Sequence, residues 1–321
     1  MSATTGPLRP AGGLPAASAD PLARARPANL WRDTLGNIVR QRSALVGAFI
    51  LTVLVLTAVF APLIATHDPN QTLLGREQGV VKRSAPCIHA LGCPTTRPQH
   101  LLGVDGNFRD VFSRVVFGAR ISLAIGFAAI GFAIVVGSII GMIAGFVGGW
   151  VDNILMRLMD VILAFPSLLL AIAIVTAAGP SLVNALLAIG IVSVPIYARV
   201  VRSSVLSARE ADYVTASRAL GESGVGILLR RIMPNSMTPL VVQGTLGIGG
   251  AVLEIAALTF VGVTGSLDVP EWGSMISLES QQLFNAPHVI LAPGLAITFT
   301  VLAFNLLGDG LRDALDPRLN R

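Results

Sequence analysis

The stretch Ile121–Val147, ISLAIGFAAIGFAIVVGSIIGMIAGFV, contains 27 residues and no charged side chain. About 20 apolar residues are enough to cross a bilayer as an α-helix. The whole chain is 53% hydrophobic and 13% charged, whereas soluble domains average about 25% charged residues. Its 33 glycines suit helices that pack closely in lipid. The composition therefore predicts an all-α, polytopic membrane protein.

Five further apolar segments flank this stretch, so we predict six transmembrane helices. The other five are Ala44–Ala65, Ile154–Ala178, Leu182–Val201, Pro239–Val263 and Val289–Leu307. Several of them contain proline, which a membrane helix tolerates where neighbouring groups satisfy the freed backbone carbonyls.

The distribution of arginine orients these spans. Six arginines and two acids precede residue 44, and an excess of basic residues marks the cytoplasmic side. Six spans then place Glu210–Asn235 and both termini in the cytoplasm. The loop Thr264–Pro287 carries three acids and no basic residue, as an outer loop should. Thr66–Arg114 also faces outward, although its six basic residues argue against that side.

The predicted organisation has five parts. Residues 1–43 form a largely disordered cytoplasmic tail, and residues 44–65 form the first transmembrane helix. Residues 66–117 form an extracytoplasmic loop with an interfacial helix at Asp110–Arg120, where apolar residues recur at helical spacing. Residues 118–308 form a core of five helices with a cytoplasmic loop at 202–237, and residues 309–321 form a cytoplasmic tail.

Composition excludes several classes of function. The net charge of +5 comes from arginines at the ends of apolar runs, where membrane topology explains them, so no nucleic-acid partner is expected. Lys82 is the only lysine and follows no glycine-rich turn, so the chain lacks the phosphate-binding loop of an ATPase. No catalytic arrangement of Ser, His, Asp or Cys is evident, and no cofactor is implied.

The longest polar interruption in the second half is Glu210–Asn235, EADYVTASRALGESGVGILLRRIMPN. Tyr213, Ala216, Ser217 and Leu220 share one face of a short helix, because they fall at positions i, i+3, i+4 and i+7. Gly221 permits a sharp reversal, and Ile232-Met233-Pro234 leads back into the membrane. The segment is either a docking element for a partner or an ordinary loop with an interfacial helix.

The spacing in this segment resembles the EAA loop of type I ABC importer permeases. The small triplet is Thr215-Ala216-Ser217, followed by Gly221 and by Ile232 and Pro234. Thr215 replaces the family's glutamate and Ser217 its second alanine. Four further stretches resemble the C subunit of dipeptide and oligopeptide permeases, so the similarity covers most of residues 100–321. They are Leu102–Arg114, Glu254–Gly262, Glu271–Met275 and the terminal Phe304–Arg318.

This resemblance implies a type I ABC importer permease fold in a bacterial plasma membrane, in contact with lipid. It implies a second homologous permease subunit, two ATP-binding cassette ATPase subunits, an extracytoplasmic peptide-binding protein and a peptide substrate. The residues implied in ATPase coupling are Tyr213, Ala216, Ser217, Leu220, Gly221, Ile232 and Pro234. Because Thr215 replaces glutamate, the coupling should depend on shape more than on charge. Related permeases carry glutathione or nickel chelates, which are alternative substrates.

Glu254 is the one acid deep in a predicted span. An ionisable group in the membrane is costly and usually functional, so a proton-coupled secondary carrier is the rival hypothesis. Proton relays usually involve several such groups. A structural acid with a hydrogen-bond partner in the bundle is therefore the favoured interpretation.

Cys87 and Cys93 lie in the predicted outer loop with five residues between them. An oxidising exterior favours a disulfide between them. His67, His89 and His100 lie nearby in the sequence, which makes a metal site conceivable. The spacing is not that of zinc ligands, so no metal site is predicted.

Overall fold

The computed structural model describes residues 41–265 and 268–315. Most of the tail predicted at 1–43, and residues 316–321 of the tail predicted at 309–321, lie outside the described residues. Within these ranges the chain is helical, and its only β-structure consists of isolated bridges. The helices are α1 (Arg42–Val59), α2 (Ala61–Ile64), α3 (Val111–Val147), α4 (Gly149–Leu163), α5 (Ser167–Ala178), α6 (Leu182–Arg209), α7 (Asp212–Ala219), α8 (Gly224–Ile227), α9 (Met233–Val261), α10 (Trp272–Glu279) and α11 (Pro287–Leu315). The predicted all-α membrane fold is confirmed.

Five helical segments of the described chain are long and apolar enough to cross a membrane: α1, α3, α6, the run Gly224–Val261 and α11. The predicted single span at Ile154–Ala178 is wrong in form. It consists of α4 and α5, which are bent by 91° at a short break. Pro166 lies at this break, where it lacks an N–H and forces Phe165 away from helical geometry.

The interfacial helix predicted at Asp110–Arg120 is not a separate element. It is the first part of α3, which continues without a break to Val147. The carboxylate of Asp110 accepts a hydrogen bond from the backbone N–H of Ser113 at 2.8 Å. This interaction caps the helix and explains where it begins.

The centre of the bundle is the contact between α3 and α6. Gly137, Gly141 and Gly145 lie one turn apart on α3 and face the backbone of α6. A Cβ atom at Gly137 would lie 2.8 Å from the carbonyl oxygen of Val194, which is too close for any side chain. Small residues at four-residue spacing let membrane helices approach in this way.

The bundle has two ends, which we name by the segments they carry. At the 210–235 end, Arg209 Nη1 donates to the Phe146 carbonyl at 3.3 Å, and Gln41 Nε2 donates to Asp313 at 2.8 Å. The disulfide end carries residues 66–110 and 268–286. Arg83 Nε there donates to Glu279 at 2.7 Å.

The bent pair α4–α5 connects these two ends. Gly148, which precedes α4, lies beside Arg209 at the 210–235 end. Pro180, which follows α5, packs against Gly265 near the disulfide end. The pair therefore reaches from one end of the bundle to the other, and if it is counted as one broken span, the described chain has six crossings instead of five.

Candidate coupling site

The segment predicted as a docking element contains the short helix α7, Asp212–Ala219. Tyr213, Ala216 and Leu220 are exposed, and Leu220 has 88% of its surface accessible. Ser217 is buried together with Val214 on the side that faces the bundle. The predicted contact face therefore includes one residue that is not accessible. Ser217 lies on the side of the helix that packs against the bundle.

Helix α7 ends at Gly221, which has a φ of +81°. The N–H of Glu222 donates to the Ser217 carbonyl at 3.1 Å, and the N–H of Gly221 donates to the Arg218 carbonyl at 3.0 Å. These two bonds form the Schellman motif that often ends a helix. Glycine suits this position because a side chain disfavours the left-handed conformation, and the chain reverses sharply here as predicted.

Contacts on both sides fix α7 to the bundle. Val214 is completely buried and belongs to the same apolar core as Val205, Ile227 and Ile232. The side-chain amide of Asn235 donates to the hydroxyl of Tyr213 at 3.1 Å. Helix α7 is therefore held to the end of α6 and to the beginning of α9.

A salt bridge supports the return of the chain to the membrane. Arg231 Nε lies 3.2 Å from Glu222 Oε2, across the turn that follows Gly221. One π-helical turn, Leu228–Ile232, precedes Met233 and Pro234. Ile232 is buried whereas Pro234 is exposed, so Ile232 anchors the segment and Pro234 is available for contact.

A cleft of about 550 Å³ opens beside this helix. Its lining consists of small residues together with one tyrosine and one asparagine: Ser203, Ser204, Ser207, Ala208, Ala211, Tyr213 and Asn235. The serines are on α6 and the asparagine is on α9, so the cleft lies where α7 meets both long helices. Sequence reasoning missed this cleft, although Ser203, Ser207 and Ala211 recur every four residues and could have indicated one helical face.

Glu254 has a hydrogen-bond partner in the bundle. The hydroxyl of Ser167 donates to Glu254 Oε1 at 3.3 Å. Ser167 is the first residue of α5, so the carboxylate of α9 lies at the break between α4 and α5. Among the described residues, no second carboxylate is hydrogen-bonded to Glu254, and this agrees with a structural acid.

The disulfide end combines the two segments predicted to lie outside. Cys87 and Cys93 are joined by a disulfide with a Cα–Cα distance of 5.4 Å. Glu279 is buried and accepts hydrogen bonds from Arg83 at 2.7 Å and from the N–H of Gly106 at 2.6 Å. Three of the six basic residues in Thr66–Arg114 are thus engaged in ion pairs, since Arg109 and Arg114 contact Asp105.

Glu271 also serves a structural role at this end. Burial raises the pKa of its carboxyl group, although hydrogen bonds from Gly273, Ser274 and Ser122 act in the opposite direction. Its carboxylate accepts from the Ser274 N–H at 2.9 Å and so caps α10. Of the three acids in the Thr264–Pro287 loop, Asp268 alone has an exposed side chain, since Glu271 and Glu279 are buried.

The three histidines of residues 66–110, which we call the outer segment after its predicted side, form two groups. The rings of His67 and His100 lie 5.1 Å apart, centroid to centroid. His89 lies apart from them and contacts the carbonyl of Arg97 at 2.9 Å. The structure also brings Glu77, which sequence reasoning missed, into contact with His67 and His100.

Comparisons with known proteins agree with this architecture. Residues 137–321 match the family described as binding-protein-dependent transport system inner membrane component. Residues 29–86 match the N-terminal TM domain of oligopeptide transport permease C.

Full-length relatives are also similar. The chain is 44% identical over 290 residues to the dipeptide transport system permease protein of Alkalihalophilus pseudofirmus, with 90% of each chain covered. It is 39% identical over 289 residues to the glutathione transport system permease proteins of Escherichia coli and Shigella boydii, with 90% of this chain and 91% of each relative covered. The chain therefore belongs to the family of inner membrane permeases of binding-protein-dependent transport systems.

Proposed function

We propose that this chain is a permease subunit of an ATP-driven peptide importer, and that α7 is the element that binds an ATPase subunit. The observation that carries this proposal is the contrast between the two sides of α7. Leu220 projects an almost fully exposed apolar side chain, whereas Val214 is completely buried against the bundle. Together with the exposed Tyr213, Val225 and Leu229 of the same segment, Leu220 gives this end a group of exposed apolar side chains, which suits a protein contact.

Such a helix can transmit displacement. Val214 couples α7 to the apolar core, and the bond between Tyr213 and Asn235 couples it to the beginning of α9. A push on Leu220 would therefore move α6 and α9 together with α7, whereas a flexible loop would absorb it. Closure of the two ATPases on ATP would bring two such helices together and switch the access of the transport path.

The proposed assembly has two permeases and a binding protein. A second homologous permease would complete the path, which the family of binding-protein-dependent transport permeases supports. The solute-binding protein would dock at the disulfide end, where Asp268 is exposed. The ATPases would act at the 210–235 end, so the chain itself would catalyse no reaction.

The proposed substrate is a dipeptide or a short oligopeptide. The similarity to a dipeptide permease, at 44% identity, supports this choice. Glutathione is the first alternative, since permeases named for glutathione are 39% identical, and a nickel chelate is the second. Binding assays on the cognate solute-binding protein would distinguish these substrates.

The docking proposal is tested by changing the exposed face of α7. Leu220→Asp should reduce copurification of the ATPase subunits and ATP-dependent peptide uptake about tenfold or more, because a charge would replace the central apolar contact. The matched control is Val81→Asp at the disulfide end, where Val81 is 62% exposed. The control should retain copurification of the ATPase subunits, because Val81 lies at the opposite end of the bundle from α7. Normal ATPase binding by Leu220→Asp would refute the docking role.

A further inference from the structure

Three residues from different parts of the outer segment converge at the disulfide end. Nε2 of His67 lies 3.0 Å from Oε1 of Glu77, and Nε2 of His100 lies 3.2 Å from Oε2 of the same carboxylate. One ligand atom from each of the three residues lies within 4.8 Å of the others. Two imidazole nitrogens and one carboxylate are therefore directed towards a common point.

Two of these atoms face each other without a further partner. Within residues 41–265 and 268–315, Nε2 of His100 and Oε2 of Glu77 are buried, lie 3.2 Å apart and have no hydrogen-bond partner besides one another. His100 is only 2% exposed, so bulk water does not reach it freely. If no proton lies between them, both atoms are unsatisfied, and buried polar atoms without a partner destabilise the fold. A cation shared by the two atoms would satisfy both.

The opposite nitrogen of each imidazole is already engaged. Nδ1 of His100 lies 2.9 Å from Oδ1 of the fully buried Asp110. An ionised carboxylate only accepts hydrogen bonds, so Nδ1 carries a proton, and in the neutral imidazole Nε2 then offers its lone pair to the cluster. Nδ1 of His67 is similarly placed, 2.9 Å from the hydroxyl of Thr66. Outer partners of this kind orient most metal-bound histidines.

The backbone around the cluster is fixed by independent contacts. His100 exchanges two backbone hydrogen bonds with Cys87, at 2.9 and 3.0 Å. Cys87 is in turn held by its disulfide with Cys93. Asp110 caps α3. A site built on this frame would present its ligands in a nearly constant arrangement, which favours metal binding.

We propose that His67, Glu77 and His100 form a binding site for a divalent transition-metal ion of the Zn²⁺ class. Two histidines and a glutamate are a known zinc ligand set, with a water in the fourth position. Bonds of about 2.0–2.2 Å in a tetrahedral site place neighbouring ligand atoms ~3.3 Å apart, close to the 3.0 and 3.2 Å between these nitrogen and oxygen atoms. Calcium and magnesium prefer sites made entirely of oxygen.

The role of the ion would be structural. It would connect three parts of the outer segment. These are its start at His67, the turn that contains Glu77, and the isolated β-bridge that His100 forms with Cys87. The two cysteines do not contribute, because they form a disulfide. Without an ion, Glu77 would instead accept a hydrogen bond from the Nε2–H of each histidine, which requires His100 to carry protons on both ring nitrogens.

The test uses the full-length chain in detergent, purified with an affinity tag that contains no histidine and stripped with a chelator. Titration with Zn²⁺ by calorimetry should give one ion per chain, and Co²⁺ should give the visible absorption bands of a tetrahedral site. Zn²⁺ should also raise the melting temperature, because a ligand that binds only the folded state stabilises it. His67→Gln and Glu77→Gln should each weaken binding by roughly tenfold or more.

The matched control is His89→Gln, which removes a histidine of the same segment outside the cluster. It should bind Zn²⁺ as the unmodified chain does. Lack of Zn²⁺ binding and of cobalt bands in the unmodified chain would overturn the proposal without reference to any variant. Equal binding by the unmodified chain and by Glu77→Gln would overturn it as well, since the ion would then be held elsewhere.

Discussion

Gly221 shows how one residue can define the shape of the coupling site. Its φ is +81°, and no atom lies within 4 Å of the position that a Cβ would occupy. A side chain at this position therefore meets no steric neighbour. The cost of a substitution arises from the backbone conformation alone, at about 1–2 kcal/mol for an ordinary residue and more for a β-branched one.

We predict that Gly221→Val lowers ATP-dependent uptake strongly while the chain still inserts. The β-branched side chain disfavours the left-handed conformation, so the end of α7 and the exposed Leu220 would be displaced. Gly221→Asn is the control, because asparagine tolerates this conformation, and it should retain most of the uptake. Uptake in membrane vesicles, normalised to the amount of inserted chain, measures both. Equal uptake by the two variants would contradict the prediction.

Glu254 is the side chain that distinguishes the importer hypothesis from the hypothesis of a proton-coupled carrier. Its carboxylate accepts a hydrogen bond from Ser167 at 3.3 Å, and glutamine keeps an acceptor in that position. We predict that Glu254→Gln leaves ATP-dependent uptake largely intact in proteoliposomes. Ser167→Ala, which removes the donor instead, should behave similarly. Uptake driven by a pH gradient in the unmodified chain and lost in Glu254→Gln would support the carrier.

At the scale of elements, the segment between α2 and α3 is organised by cross-links rather than by helices. The disulfide between Cys87 and Cys93 closes a short loop. The ion pair between Arg83 and Glu279 then ties this segment to the one that contains α10. Because a long irregular segment has few backbone hydrogen bonds of its own, such cross-links decide whether it keeps one conformation.

We predict that replacing both Cys87 and Cys93 by serine lowers the free energy of unfolding of this segment by about 2 kcal/mol, the value expected for closing a loop of this length. Limited proteolysis of the outer segment measures the loss. Intact mass provides a separate check, since reduction should add about 2 Da to the unmodified chain and nothing to the variant. Resistance to proteolysis that is unchanged in the variant would show that the disulfide is dispensable.

At the scale of the whole molecule, the crossings place the two irregular regions at opposite ends. Arg209 contacts Phe146 at one end, and His288 contacts the carbonyl of Ser84 at the other. Gln41 and Asp313 meet through a hydrogen bond of 2.8 Å, which brings the two described chain ends together. The proposed function requires the 210–235 end to face the cytoplasm.

We predict that a cysteine at position 81 reacts with a membrane-impermeant maleimide in intact cells, and that a cysteine at position 220 reacts only after permeabilisation. Val81 and Leu220 are both highly exposed, at 62% and 88%, so access by the reagent depends on the side of the membrane. A chain in which Cys87 and Cys93 are replaced by serine supplies the background. The reverse labelling pattern would invert the proposed topology.

The sequence by itself determined the class of fold and the approximate position of most crossings. Long uncharged stretches such as Ile121–Val147 form α-helices in lipid, because a helix satisfies its own backbone hydrogen bonds. The reversal at Gly221 was also predictable, since glycine favours the left-handed conformation at the end of a helix. Both features depend on residues that are close together in the sequence, so they can be predicted without the tertiary structure.

The tertiary structure alone decided which side of α7 is free and which polar residues meet. Ser217 shares the helical spacing of the exposed residues, but contacts with the bundle bury it. Glu77 joins His67 and His100 across a segment without regular periodicity. Such contacts join residues that are distant in sequence, so their positions follow from the packing of the whole chain and not from any local pattern.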